Sequence, residues 1–268
     1  MAKVCFITAI YGGYEQSCKK FETQTIPADF ICFTDNENII SNGWIIDSTP
    51  YHLTCKSPID NDTYVNSLCN NKHSFNKAKY YKQAFQNIPR LAEYEVIVWL
   101  DGTIQVVNPQ TAAFILENIG SSKIIGWHHE MRNGVLEAEV TDSENFYRYA
   151  STYWNNQEQP FQDVRKQYTA YIQDGYDENF FKLQNHPSKH FGVWITCFVA
   201  FHNKSPVVSN FLDMWYLQTL KYTTQDQVGF PYVAQKTGLI PITLPQRAEH
   251  GLFPHLYTLF YFKHNHGI

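Results

Sequence analysis

None of the six cysteines in this 268-residue sequence forms a C-x-x-C pair, which excludes zinc ribbons and thioredoxin-like redox motifs. Cys5, Cys32 and Cys197 stand inside apolar runs, where a free thiol behaves as a small hydrophobe. A reducing cytoplasm is the expected compartment, and Asn61-Asp62-Thr63 and Asn203-Lys204-Ser205 then read as chance glycosylation matches. Positive charge is not in excess: 21 Lys and Arg against 25 Asp and Glu leave a net charge of −4, without the basic footprint of a nucleic-acid binder. No run approaches the ~18 apolar residues of a membrane span. The opening MAKVCFITAIYGG has one lysine and no small-residue cleavage pattern, so it reads as a first strand and not as a signal peptide. Familiar catalytic signatures are missing too. There is no P-loop, Gly12-Gly13 does not extend to G-x-G-x-x-G, and no G-x-S-x-G elbow occurs. His129-Glu130-Met131-Arg132-Asn133 lacks the second histidine of a zinc protease helix.

Aromatic residues are abundant, with 18 Tyr, 19 Phe and 6 Trp. Such numbers suit sugar faces, an interaction surface, a nucleotide-base stack or an aromatic core. Residues 3–10 (KVCFITAI), 29–34 (DFICFT) and 44–47 are short apolar runs that predict strands. A long loop follows over 48–71, then a helix over 73–86 ended by Pro89. Further strands are expected at 95–100, 123–127 and 191–202. Asn108-Pro109 reads as a helix start, and so does Ser205-Pro206. Thr141-x-x-Glu144 reads as a capping box opening a helical region to about Asp174, and Thr224–Gln227 as a second, opening a helix to about Lys236. Strands alternating with helices at this spacing predict an α/β sheet, mostly parallel in its first half.

The stretch VIVWLDGTIQVV at 96–107 has two incompatible readings. Asp-Gly between apolar runs is a strong β-hairpin signal. A carboxylate just past a central strand is also where α/β enzymes meet their ligands. Residues 95–100 are apolar on both faces, as a central strand is, and 103–107 is a short stub before a helix cap. Asp101 therefore reads as a site at the carboxyl end of a central strand.

The order of Thr8-Ala9-Ile10-Tyr11-Gly12-Gly13-Tyr14, Phe33-Thr34-Asp35, Trp99-Leu100-Asp101-Gly102, His129-x-x-Arg132 with Val135-Leu136-Glu137, and Thr224-Gln225-Asp226-Gln227 resembles a GT-A glycosyltransferase. The pattern is most similar to the glycosyltransferase-like family labelled domain of unknown function 616, and it covers most of the chain. The resemblance implies a GT-A (Rossmann-like) α/β fold with a mixed, mostly parallel central sheet flanked by helices. It also implies a nucleotide sugar held by Thr8, Ala9, Tyr11, Asp35, Asn76, Lys79, Asp101, Gly102, Arg132 and Lys263.

Each residue also has a plainer reading. Asp35 would accept from a base or ribose, or simply close an Asx-turn. Tyr11 would flank the base, or fill the core at a glycine turn. Lys72, Lys77, Lys79 and Lys82 would neutralise a diphosphate, or form a solvated helix face. Asp101 matches the first acid of the GT-A Asp-x-Asp motif, which implies Mn²⁺ or Mg²⁺ on the donor diphosphate. The second acid is replaced by Thr103, so His264 or His266 would have to complete the metal site, the competing reading being a frayed tail. Asp226 is the expected catalytic base near the acceptor, or a sugar-binding group if configuration is retained, against a plain acid at a helix N-terminus. Glu137 is the competing base, and a surface salt bridge with Arg132 is its plainer reading.

The sequence thus predicts one domain, with a donor half at about 1–120 and an acceptor half at about 121–268. The expected function is a hexosyl- or pentosyltransferase of polysaccharide biosynthesis, moving a sugar from a nucleotide-sugar donor to a glycan or glycolipid acceptor. The alternatives are a hydrolase of a lipid amide or nucleotide sugar, and a non-catalytic nucleotide- or glycan-binding module. The expected location is cytoplasmic, with at most peripheral contact at the inner face of a membrane. The aromatic segment 252–262 is expected to be core, since Pro254 breaks any amphipathic helix.

Overall fold

The apolar runs become strands of one sheet. The computed structural model describes residues 3–54, 74–120, 123–145, 153–154, 157–158, 162–249 and 254–262. The strands are β1 (Val4–Ile10), β2 (Ala28–Thr34), β3 (Ile45–Asp47), β4 (Val96–Leu100), β5 (Ile104–Val106), β6 (Ile124–His128), β7 (Tyr153–Trp154), β8 (Gln157–Glu158), β9 (Trp194–His202), β10 (Ile242–Leu244) and β11 (Phe260–Phe262). Seven of them form the central sheet, in the order β10-β6-β9-β4-β1-β2-β3. Neighbours run parallel except at β9, which is antiparallel to both β4 and β6. The fold is α/β with a mixed, mostly parallel sheet.

The helices are α1 (Tyr51–Thr54), α2 (Ser74–Gln83), α3 (Thr111–Asn118), α4 (Leu136–Asn145), α5 (Val164–Gln173), α6 (Pro206–Lys221), α7 (Asp226–Thr237) and α8 (Leu256–Leu259). All of β4 is buried. Ile97 and Trp99 join Tyr81, Phe85 and Trp215 on one face of the sheet, while Val96, Val98 and Leu100 join Ile115, Phe198 and Leu259 on the other. A strand apolar on both sides needs such double cover, and each large side chain so buried contributes roughly 1.5–3 kcal/mol. No helix among the described residues is long and apolar enough to cross a membrane.

The hairpin question is settled by pairing. β5 does not pair with β4; it runs antiparallel to β11, with Val106 opposite Phe260. The Asp-Gly turn is a sharp exit from the central strand, closed by the Ile104 amide donating to the Asp101 carbonyl at 3.0 Å. β11 and α8 bury Leu256, Leu259 and Phe260 while Tyr257 and Tyr261 stay exposed, so the described part of the aromatic segment is core on one side and surface on the other.

Other expectations need correction. Thr141–Glu144 opens nothing: it lies inside α4, where Thr141 Oγ1 donates to the Glu137 carbonyl at 2.9 Å. The region up to Asp174 is divided between α4, the β7–β8 pair and α5, which is capped by Asp163 accepting from the Lys166 amide. Thr224 does not cap α7 either; its amide donates to Gln162, and the helix begins at Asp226. Asn108 forms an Asx-turn to Gln110, which delays α3 to Thr111. The loop expected at 48–71 contains the single turn of α1, and its residues from 55 onward lie outside the described ones.

Candidate active site

The site begins with α2, whose sequence SFNKAKYYKQ has no proline or glycine to interrupt it. Tyr80, Tyr81 and Ala84 bury one side of this segment against β1 and α6. Lys79 and Lys82, three apart, are neighbours on a helix surface, and both turn inward with the tyrosines. Lys82 Nζ lies 2.6 Å from Asp226 Oδ2, and Lys79 Nζ lies 3.0 Å from Asp226 Oδ1. Thr196 of β9 donates its hydroxyl to Asp226 Oδ1 at 3.2 Å, and the Trp215 indole donates to the Asp226 carbonyl at 2.8 Å. Burial alone would raise the Asp226 pKa, but the two lysines outweigh it and hold the carboxyl below its ordinary range. Burial pushes the Lys82 ammonium down, against the pull of Asp226. A carboxylate so engaged is a weak proton acceptor.

Asp101 leaves β4 beside this group. Its amide donates to the Cys197 carbonyl at 2.8 Å, and its Oδ1 accepts from the Trp99 indole at 2.7 Å. Lys82 Nζ is 3.8 Å away, and the Asp101 side chain is 41 % exposed. Gly102 lets the turn close on β1: a Cβ there would stand 3.3 Å from Ile10 Cγ1.

An open cleft follows, lined by Ala9, Tyr11, Glu15, Lys79, Trp99, Asp101, Gly102 and Thr103 among others. It lies at the carboxyl ends of β1 and β4, where open α/β sheets gather ligands. Of the expected nucleotide-sugar residues, Ala9, Tyr11, Lys79, Asp101 and Gly102 meet here. Thr8 does not line the cleft; residues alternate along a strand, and its side chain is buried. Tyr11 is a wall and a core residue at once, donating to the Tyr81 hydroxyl at 2.9 Å and stacking on that ring. Asp35 does not line the cleft; it accepts from the amide of Gly12, the residue after Tyr11, with both oxygens at 3.2 Å. The Asn76 side chain, Lys263, His264 and His266 lie outside the described residues.

The second group of expected residues is split. Arg132 bonds Glu139, not Glu137, with Nε 2.6 Å from Oε2. Glu139 is buried, which raises its carboxyl despite Arg132, and it accepts from Gln225 Nε2 at 3.2 Å. This ties α4 to the residue preceding Asp226. Glu137 is exposed on α4 and pairs with Arg165 at 3.2 Å. Glu139 was legible in principle: it falls three residues after Leu136 and four before Ser143, on the buried stripe of the helix. Lys82's partnership with Asp226, and the roles of Thr196 and the Trp99 and Trp215 indoles, had no sequence signal.

Of the residues expected to hold a divalent cation, Asp101 is the one described. One or two carboxylates can hold such an ion with substrate phosphates and water completing the shell, but the Asp101 carboxylate already has an indole N–H on it and an ammonium 3.8 Å away. Among the described residues no group of three or more His, Cys, Asp and Glu side chains could hold a metal.

No protein-family model and no curated protein matches the chain, so its resemblance to the 616 family rests on the motifs alone. Among solved structures, the fold is similar to mouse xyloside xylosyltransferase 1 in its apo form, with a TM-score of 0.51 and 10 % sequence identity over 98 % of this chain and 97 % of that one. The apo WbbM bifunctional glycosyltransferase aligns with a TM-score of 0.42 and 12 % identity, over 90 % of this chain and 38 % of that one. The first likeness is one of fold: the mixed, mostly parallel sheet expected of a GT-A protein is also that of a xylosyltransferase.

Proposed function

We propose that this chain is a glycosyltransferase that moves a sugar from a nucleotide-sugar donor to a glycan or glycolipid acceptor. One observation carries the proposal: Asp101 and Lys79 reach the same cleft, at the carboxyl edge of the two central parallel strands. The likeness of fold to a xylosyltransferase supports it. In this reading the diphosphate lies between Lys79 and the Asp101-Gly102 turn, and the nucleoside lies toward Asp35 and Tyr11. The acceptor enters on the side of α4 and α7. In this reading the chain acts as one domain, its two halves meeting where β9 of the acceptor half pairs with β4 of the donor half.

In the transfer, the anomeric carbon breaks its bond to the diphosphate oxygen and bonds the acceptor oxygen, whose proton must leave. Lys79 stabilises the charge that develops on the departing diphosphate. Asp226 holds the two lysines in place. Glu137, of the two acids considered for proton transfer, is the one whose carboxylate is open to solvent.

The test is a panel of nucleotide sugars with glycan and glycolipid acceptors, reading nucleoside diphosphate release and acceptor mass. Release that needs an acceptor, with one sugar added to it, supports the proposal. Equal release without acceptor makes the protein a hydrolase. A second reading, a binding module without turnover, is favoured by the engagement of Asp226 with two lysines. It predicts nucleotide binding with no release.

A further inference from the structure

The charges around Asp101 suit an anion better than a dication. Lys82 cannot move away from an incoming metal ion. Its side chain is 1 % exposed, its ammonium is fixed 2.6 Å from Asp226, and it lies between the Trp99 and Trp215 rings, 5.6 and 5.5 Å from their centroids. A dication on Asp101 would sit beside that fixed ammonium; the one Asp226 carboxylate is shared by two lysines, so the group keeps an excess positive charge, and Thr103 supplies no second carboxylate to hold the ion.

Lys79 differs from Lys82. Its side chain is 19 % exposed and walls the cleft, and Asp226 keeps Lys82 and the Thr196 hydroxyl as partners if Lys79 turns away. Lys79 is thus a transferable ammonium at the edge of the cleft. Lys77, on the same helix, adds a further positive charge, its Nζ 5.9 Å from the centroid of the Tyr11 ring that forms another wall.

We propose that the cleft binds the donor diphosphate without a divalent cation, with Lys79 exchanging Asp226 for phosphate oxygens and Lys82 supplying fixed positive charge behind Asp101. This rests on the transferase reading and concerns the same site. Asp226 is then a positioning residue: it holds Lys79 ready in the empty cleft and keeps Lys82 charged once Lys79 has moved.

The experiment is calorimetric titration of the full chain with uridine, guanosine, adenosine and cytidine diphosphates, once in excess EDTA and once in excess Mn²⁺. The expected result is that one diphosphate binds in EDTA within about threefold of its affinity in Mn²⁺, a difference under 1 kcal/mol. Lys79→Met should weaken that binding about ten- to a hundredfold, the worth of a charge-assisted hydrogen bond, and Lys79→Arg should keep most of it. Lys77→Met, outside the buried ion group, should weaken it less but in the same direction. Binding that requires Mn²⁺ and vanishes in Asp101→Ala overturns the inference and leaves the transferase reading standing. No binding by any of the four, with or without Mn²⁺, overturns both.

Discussion

The Lys82 ammonium and the Asp226 carboxylate meet at 2.6 Å with 1 % and 3 % of their side chains exposed. Two charges so far from water are costly to bury, and their mutual attraction repays this only with good geometry and further hydrogen bonds. Lys79, Thr196 and the two indole rings complete that geometry. The pair joins α2 to the start of α7 beneath the cleft, so it fixes the site as well as the fold.

Removing the shared anion strands two ammonium groups at once. Asp226→Ala should destabilise the protein by about 3–5 kcal/mol, the usual cost of breaking a buried ion pair from one side. Urea unfolding measures it, and a loss under about 1 kcal/mol would show that the lysines find other partners.

A pH dependence follows from His128. It is fully buried, lies 2.8 Å from Glu249 through Nε2, and has its pKa lowered by burial to about 4, with His190 and His186 pushing the same way. Between about pH 4 and 6.5 the unfolded chain binds a proton there that the native chain refuses, so protonation favours unfolding. Stability should be full above about pH 6.5 and fall by on the order of 2–3 kcal/mol toward pH 4. His129, also lowered to about 4 by burial, acts over the same range, so His128→Phe should remove about half of the combined slope in denaturant titrations. An unchanged slope would assign it to other groups.

Much of the fold was legible because its central strands are largely buried apolar runs. Val96–Leu100 cannot be satisfied anywhere but the middle of a sheet. The antiparallel direction of β9 was not legible, since burial leaves no mark of strand direction. Both capping boxes failed because the pattern reads four residues only, whereas Thr141 lies in a helix already begun at Leu136 and Thr224 is taken by Gln162. Asp101 stood out by its place after a central strand. The partnership of Asp226 with Lys82 joins residues far apart in the chain, which no local spacing records.

The two glutamates of α4 should separate cleanly. Glu139→Ala removes the buried carboxylate that Arg132 Nε meets at 2.6 Å, leaving Arg132 with Asp142, and should cost about 1.5–3 kcal/mol. Glu137→Gln loses only an exposed pair with Arg165 and should cost under about 1 kcal/mol. Equal losses in thermal or urea unfolding would contradict the burial assigned to Glu139.

Gly12 has a φ of +72°, and a Cβ there would stand 2.3 Å from Ser74 Oγ and 2.9 Å from Ser74 Cβ. Gly12→Ala should therefore strain the turn and displace the start of α2. The expected cost is about 1–3 kcal/mol, together with weaker nucleotide binding, because α2 carries Lys79. A variant that binds as wild type would detach this turn from the site.

The most direct measurement is a thermal-shift series with nucleoside diphosphates and nucleotide sugars on wild type and Asp101→Ala. A ligand that binds only the native state raises the unfolding midpoint by mass action. If the cleft between β1 and β4 is a nucleotide-sugar site, one base should raise the wild-type midpoint and its sugar nucleotide should do so as well. Asp101→Ala should reduce the shift from the sugar nucleotide. No shift in wild type with any nucleotide, or a shift indifferent to both Asp101→Ala and Lys79→Met, would contradict the assignment of this cleft.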